Sequence, residues 1–136
     1  MNLTDFINLA IGVPFLDQGR DFQGWDCWGL VVRAYRECFG IDVPGYENVS
    51  ALNSKEAGEL FEFHKKSWIE VLAHQERPGD VVLLRHSSWP CHTGLIVKAG
   101  LMLHVDMGID TCVESYISGV WKKRVIGIYR HAELAG

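Results

Sequence analysis

The chain has 136 residues and a formal net charge of −4 at pH 7, so it lacks the basic footprint that nucleic-acid binding requires. Its hydrophobic content of 48% excludes a disordered chain and predicts one compact domain over residues 1–136. Its four cysteines show neither zinc-ribbon nor disulfide spacing, and we expect no metal and no cofactor. The N-terminus lacks the basic segment of a signal peptide, and no apolar run spans a membrane, so we expect synthesis in the cytoplasm without membrane insertion.

In the first half of the sequence, apolar residues recur with the period of a helix. In the second half, apolar and polar residues alternate as they do in strands. A short helix is expected to end at Ala10, a second to cover 27–39 and end at Gly40, and a third to cover 55–66 behind a Ser54 cap. Short strands are expected at 68–72, 80–85, 92–97, 101–105, 111–115 and 125–129. Helices followed by a run of strands predict an α+β fold with a mostly antiparallel sheet of about five to six strands.

Cys27 stands where the second helix is expected to begin. Turn-forming residues precede it, and the apolar residues that follow recur with the period of a helix. A thiol at a helix N-terminus lies close to unpaired N–H groups and to the positive end of the helix dipole, and both favour the nucleophilic thiolate. An inert cysteine packed in the core is the alternative, and Cys27 by itself does not decide between them.

Two histidines are expected to meet on one face of a β-hairpin. A three-residue loop at 98–100 would place Gly94 opposite His104, and the same register places His92 opposite Asp106. His92 and His104 would then share a face as diagonal neighbours, whereas a two-residue loop would put them on opposite faces. A thiol, an imidazole and a third polar group form the arrangement that thiolate acyl transfer needs. Core residues that never meet are the alternative.

Several segments of the chain resemble, in the same order, the NlpC-type papain-like cysteine peptidases of bacterial cell walls and phage tails. The matching segments are 11–15, Asp26-Cys27 with Gly29-Leu30-Val31, 77–82, 92–97 and, beyond them, His104. The resemblance covers nearly the whole chain and implies a papain-like fold whose nucleophile helix packs on the sheet. It implies Cys27 as the nucleophile, His92 as the general base and His104 as the orienting residue. Asp106 is the alternative for the orienting role.

The resemblance further implies a cysteine endopeptidase that hydrolyses D-γ-glutamyl-diamino acid bonds in the stem peptides of peptidoglycan. Phe15 and Trp28 stand where many members carry tyrosine and serine, and with Asp26 they are the expected substrate-binding residues. With these residues the chain resembles the phage tail-assembly branch of the family. This resemblance implies that the protein is part of the virion, acts at the cell wall and has other tail proteins as partners. The alternatives are a thiol acyltransferase with an apolar tunnel and a non-catalytic structural tail component.

The other cysteines and histidines are expected to stay outside the site. Cys91 would face away from His92, because adjacent residues of a strand point to opposite faces. Cys38 and Cys112 are expected to pack in the interior. The remaining histidines stand among polar neighbours and are expected in solvent, namely His64, His74, His86 and His131.

Overall fold

The computed structural model describes residues 1–135, in which helices come first and a sheet follows. The helices are α1 (Leu3–Ala10), α2 (Cys27–Ala34) and α3 (Ser54–His64). A small hairpin, β1 (Arg20–Asp21) and β2 (Gly24–Trp25), precedes α2. The six strands of the main sheet are β3 (Ile69–Val71), β4 (Val81–His86), β5 (Trp89–Lys98), β6 (Leu101–Asp106), β7 (Ile109–Ser115) and β8 (Val125–Arg130). Their order is β3-β8-β4-β5-β6-β7 with antiparallel pairing, which confirms the predicted α+β class.

The helix boundaries differ in detail from the predicted ones. The segment 27–39 is helical throughout, but its last five residues, Tyr35–Phe39, form a π-helix with one wider turn. Gly40 ends it in the left-handed region with φ of 64°, the conformation that glycine adopts most readily. Asn53, not Ser54, caps α3, because its side chain accepts a hydrogen bond from the Glu56 N–H. The β1–β2 hairpin was not predicted.

The turn between β5 and β6 brings the two histidines to one face by a different route from the predicted one. Ile96 pairs with Met102, but Lys98 then pairs with Leu101, so the turn has two residues and a bulge precedes it. The predicted three-residue loop is therefore wrong. The bulge adds the residue that the shorter turn lacks, so the strands beyond it keep the predicted register. His92 and His104 remain neighbours for this reason.

Two apolar clusters lie on the two faces of the main sheet. The cluster on the helix side joins α1 and α2 to residues such as Leu95 and Leu103. The opposite cluster contains Ile96, Met102 and Trp121, the last from a 3₁₀ helix at Gly119–Arg124. Burial of these side chains supplies the main driving force that holds α2 against the sheet. None of the helices within residues 1–135 is long and apolar enough to cross a membrane.

Candidate active site

Cys27 is the first residue of α2, and Asp26 fixes the start of that helix. Asp26 is the N-cap, and its Oδ1 accepts a hydrogen bond of 2.8 Å from the Gly29 N–H. The same oxygen pairs with the Arg20 guanidinium at 2.9 Å, while Oδ2 accepts the Gln18 N–H at 2.9 Å. Asp26 is 2% exposed, so its carboxylate is already occupied by the protein. The predicted substrate-binding residue thus holds the nucleophile helix in place.

The surroundings of Cys27 favour the protonated thiol. Its Sγ lies 3.8 Å from the carbonyl oxygen of Cys91, and the side chain is buried. Burial and, next, the neighbouring Asp26 carboxylate raise the pKa of Cys27 to about 12. This direction is opposite to the expectation that the helix N-terminus favours the thiolate, and loss of hydration is its largest cause.

A chain of hydrogen bonds links His92, His104 and Glu114 across three adjacent strands. Nε2 of His92 lies 2.9 Å from Nδ1 of His104, and Nε2 of His104 lies 2.8 Å from Oε1 of Glu114. Both histidines are buried, whereas the Glu114 side chain is 39% exposed. The two histidines that the sequence predicted to meet do so. Glu114 was missed, because nothing in the alternation of β7 marks a carboxylate that reaches a neighbouring strand.

Trp121 covers the histidine pair. Its ring stacks on His92 with centroids 4.8 Å apart and planes inclined by 14°. The centroids of Trp121 and His104 are 5.3 Å apart, with the two planes inclined by 85°. Burial lowers the pKa of His92 well below its ordinary value, with smaller contributions from His104, His86 and Arg124. His92 is therefore a neutral imidazole near pH 7, the form that can accept a proton.

Cys27 and His92 line one cleft with a volume of about 220 Å³. Phe15, one of the expected substrate-binding residues, also lines this cleft. Trp28 instead belongs to an aromatic cluster with Phe61 and Trp68, and its indole N–H donates to the Pro44 carbonyl at 2.7 Å. The two apolar pockets beside Trp28 have volumes of only about 40 and 20 Å³.

His86 and Asp106 form a second polar pair in the cleft. His86 Nε2 lies 2.9 Å from Asp106 Oδ2, and both residues line the cleft. His86 therefore lines the cleft, and its side chain is 36% exposed, in keeping with the expected contact with solvent. Asp106 is engaged by His86, whereas the partner of His92 is His104. Cys91 also lines the cleft, so the expectation that it lies away from the site is wrong.

Glu114 also lies close to Cys112, which was expected to be a packed core residue and is only partly buried. The Cys112 thiol is 3.8 Å from Glu114 Oε1. One donor atom each from His104, Cys112 and Glu114 lie within 4.8 Å of one another, close enough to share a metal ion. The hydrogen bond from His104 already satisfies the Glu114 carboxylate, so the arrangement is explained by protein contacts alone.

Comparison with known proteins identifies the family to which the chain belongs. Residues 12–130 match the model of the NlpC/P60 family. The chain is 29% identical over 113 residues to the murein DD-endopeptidase MepS/murein LD-carboxypeptidase of Escherichia coli K12, covering 83% of this chain and 53% of that protein. It is 26% identical to the tail tip assembly protein K of Escherichia phage N15, covering 91% of this chain and 52% of that protein.

The chain thus spans about half the length of these two relatives. Among solved structures, an NlpC/P60 family protein from Bacillus cereus superposes with a TM-score of 0.74 at 17% identity, covering 96% of this chain and 39% of that one. That likeness confirms the predicted papain-like fold. The match over residues 12–130 extends across most of the sequence and includes both α2 and the histidine strands, so the chain belongs to the NlpC/P60 family.

Proposed function

We propose that this protein is a cysteine endopeptidase that hydrolyses D-γ-glutamyl-diamino acid bonds in peptidoglycan and acts as part of a phage or prophage tail. Cys27 is the nucleophile, His92 the general base and His104 the residue that orients His92. The observation that carries this proposal is the buried His92–His104 hydrogen bond of 2.9 Å beside a cleft that Cys27 also lines. Residues 1–136 would form one catalytic domain.

In the proposed mechanism the two nitrogens of His92 have separate tasks. Nε2 is occupied by His104, so Nδ1 is the atom that can take the thiol proton. Burial favours the thiol form of Cys27 and the neutral form of His92, so His92 must take the thiol proton for the sulfur to attack. The Cys27 sulfur then forms a bond to the carbonyl carbon of the scissile amide, and His92 becomes an imidazolium.

The start of α2 supplies donors for the oxyanion of the tetrahedral intermediate. The first N–H groups of a helix have no acceptor within the helix, and that of Gly29 is already used by Asp26. The N–H groups of Cys27 and Trp28 are the remaining candidates for the oxyanion hole. When the intermediate collapses, the C–N bond breaks and the imidazolium of His92 protonates the leaving amine. Water, deprotonated by His92, then hydrolyses the thioester and restores the thiol.

The size of the site favours hydrolysis over acyl transfer to a lipid. An acyltransferase would need an apolar tunnel next to the nucleophile, whereas the apolar pockets beside Trp28 are a small fraction of the volume of the cleft that Cys27 and His92 line. The occupied carboxylate of Asp26 argues against binding of a free substrate amine there, which favours an endopeptidase. The murein peptidase and the phage tail relatives support the substrate class and the tail location, respectively.

Digestion of purified muropeptides tests the proposed reaction. Wild-type protein should release products cut between D-γ-glutamate and the diamino acid, and mass spectrometry would identify the bond. Cys27→Ala and His92→Ala should abolish turnover, while Cys38→Ala, which changes a cysteine remote from the cleft, should not. Wild-type protein without activity on either intact sacculi or soluble muropeptides would support the structural alternative. A protein found free in the cytoplasm and absent from phage particles would contradict the tail location.

A further inference from the structure

Glu114 extends the predicted triad by one residue. We propose that Glu114 is a positioning residue that fixes the ring tautomer of His104 and, through His104, that of His92. This role rests on the proposed functions of Cys27 and His92, and it deepens them by explaining why Nδ1 of His92 is free to accept a proton.

The carboxylate determines where the proton of His104 resides. An ionised carboxylate can only accept hydrogen bonds, and a neutral imidazole carries a single ring proton. Because Oε1 of Glu114 lies 2.8 Å from Nε2 of His104, that proton is held on Nε2. Nδ1 of His104 is then a bare acceptor.

The tautomer of His92 follows from that of His104. Nδ1 of His104 accepts, so Nε2 of His92 must carry the proton that joins them over 2.9 Å. The remaining nitrogen of His92, Nδ1, is then unprotonated and can take the proton of Cys27. If Nδ1 of His104 carried the proton instead, the hydrogen bond would reverse, and the proton of His92 would sit on Nδ1, where it blocks catalysis.

The sheet places His92, His104 and Glu114 on three adjacent strands, β5, β6 and β7. Met102 pairs with Glu114 in the register of β6 and β7, which makes Glu114 a diagonal neighbour of His104. His104 is fully buried, so in the folded protein Glu114, and not bulk water, is the acceptor for its Nε2. Glu114 itself is 39% exposed, and a substitution there removes the acceptor without opening a cavity in the core.

Nitrogen NMR of protein labelled with [¹⁵N]histidine tests the tautomers directly. Long-range ¹H–¹⁵N correlations distinguish protonated from bare ring nitrogens, and the His92→Ala and His104→Ala variants assign the two rings. We expect both rings to carry their proton on Nε2, and His104 to become a mixture of tautomers in Glu114→Ala. A His104 ring protonated on Nδ1, or on both nitrogens, in the wild-type protein would overturn the proposal.

Kinetics on muropeptides supply the second measurement. Glu114→Ala should lower kcat by about 10–100-fold and leave KM unchanged, the range typical of a lost orienting partner. Glu114→Gln, which keeps an acceptor oxygen, should recover most of kcat. Glu133→Gln is the matched control, because Glu133 also lies beside a histidine, 4.0 Å from His131 Nδ1, outside the cleft. Unchanged kcat in Glu114→Ala, or equal losses in the Ala and Gln variants, would refute the role.

The two measurements separate failure of this role from failure of the proposed function. The NMR experiment needs no turnover, so it tests Glu114 even if no muropeptide is cleaved. Activity that survives Cys27→Ala would refute the proposed nucleophile and leave the tautomer result standing.

Discussion

Replacement of Trp121 by alanine tests how burial sets the pH range of the proposed enzyme. Trp121 is 4% exposed and stacks on His92 with centroids 4.8 Å apart. Loss of such a core aromatic destabilises a domain by about 3–5 kcal/mol. For a chain of this length we expect the Tm to fall on the order of 10 °C. The variant should therefore remain folded at room temperature, where activity can be measured.

The same substitution removes the main cause of the low pKa of His92. Burial is the largest contribution to that shift, so exposure in Trp121→Ala should raise the pKa of His92 towards its ordinary value of about 6.5. General-base activity requires the neutral ring. Wild-type kcat/KM should therefore persist as pH falls through about 6.5, whereas the variant should lose activity at a higher pH.

The assay is kcat/KM for muropeptide cleavage between about pH 5 and 8, with folding checked by circular dichroism in the same buffers. Trp68→Ala is the matched control, because Trp68 packs against Trp28, Tyr35 and His131. It should lower stability without moving the acid limb of the profile. An identical acid limb in wild type and Trp121→Ala, or an equal shift in Trp68→Ala, would refute the reasoning.

Three further predictions concern the nucleophile helix. Burial raises the pKa of Cys27, so its alkylation by iodoacetamide should accelerate only as the pH rises past the free-thiol pKa of about 8.5. Fast labelling near pH 6 would contradict this. Asp26→Ala should destabilise by about 3–5 kcal/mol in urea unfolding, because it removes a helix cap and the carboxylate that neutralises the largely buried Arg20. A loss below about 1 kcal/mol would contradict this role. Gly29→Ala should destabilise the protein, because a Cβ at this position meets the Gly19 carbonyl oxygen. At a solvent-exposed position inside a helix, the same substitution stabilises by about 1 kcal/mol. A higher Tm in Gly29→Ala would therefore contradict the predicted clash.

Local patterns predicted the elements that carry the site. The helix that begins at Cys27, the stop at Gly40 and the alternation around His92 each depend on residues within a few positions of one another. The shared face of His92 and His104 was also predicted, although the turn that was assumed is wrong. A shorter turn and a bulge at the end of β5 give the same register, and sequence periodicity does not distinguish the two.

The sequence by itself therefore determined the fold class, the three residues proposed to act as a triad and the family to which they point. Only the tertiary structure decided how those residues behave. Trp121 contacts His92 from the segment that follows β7, and Glu114 contacts His104 from the neighbouring strand. Neither contact can be recognised from the residues next to it in the sequence. Burial then favours the protonated Cys27 thiol, against the expectation from its helix position alone. Hydration depends on everything packed around a group, and this is why chain position does not reveal it.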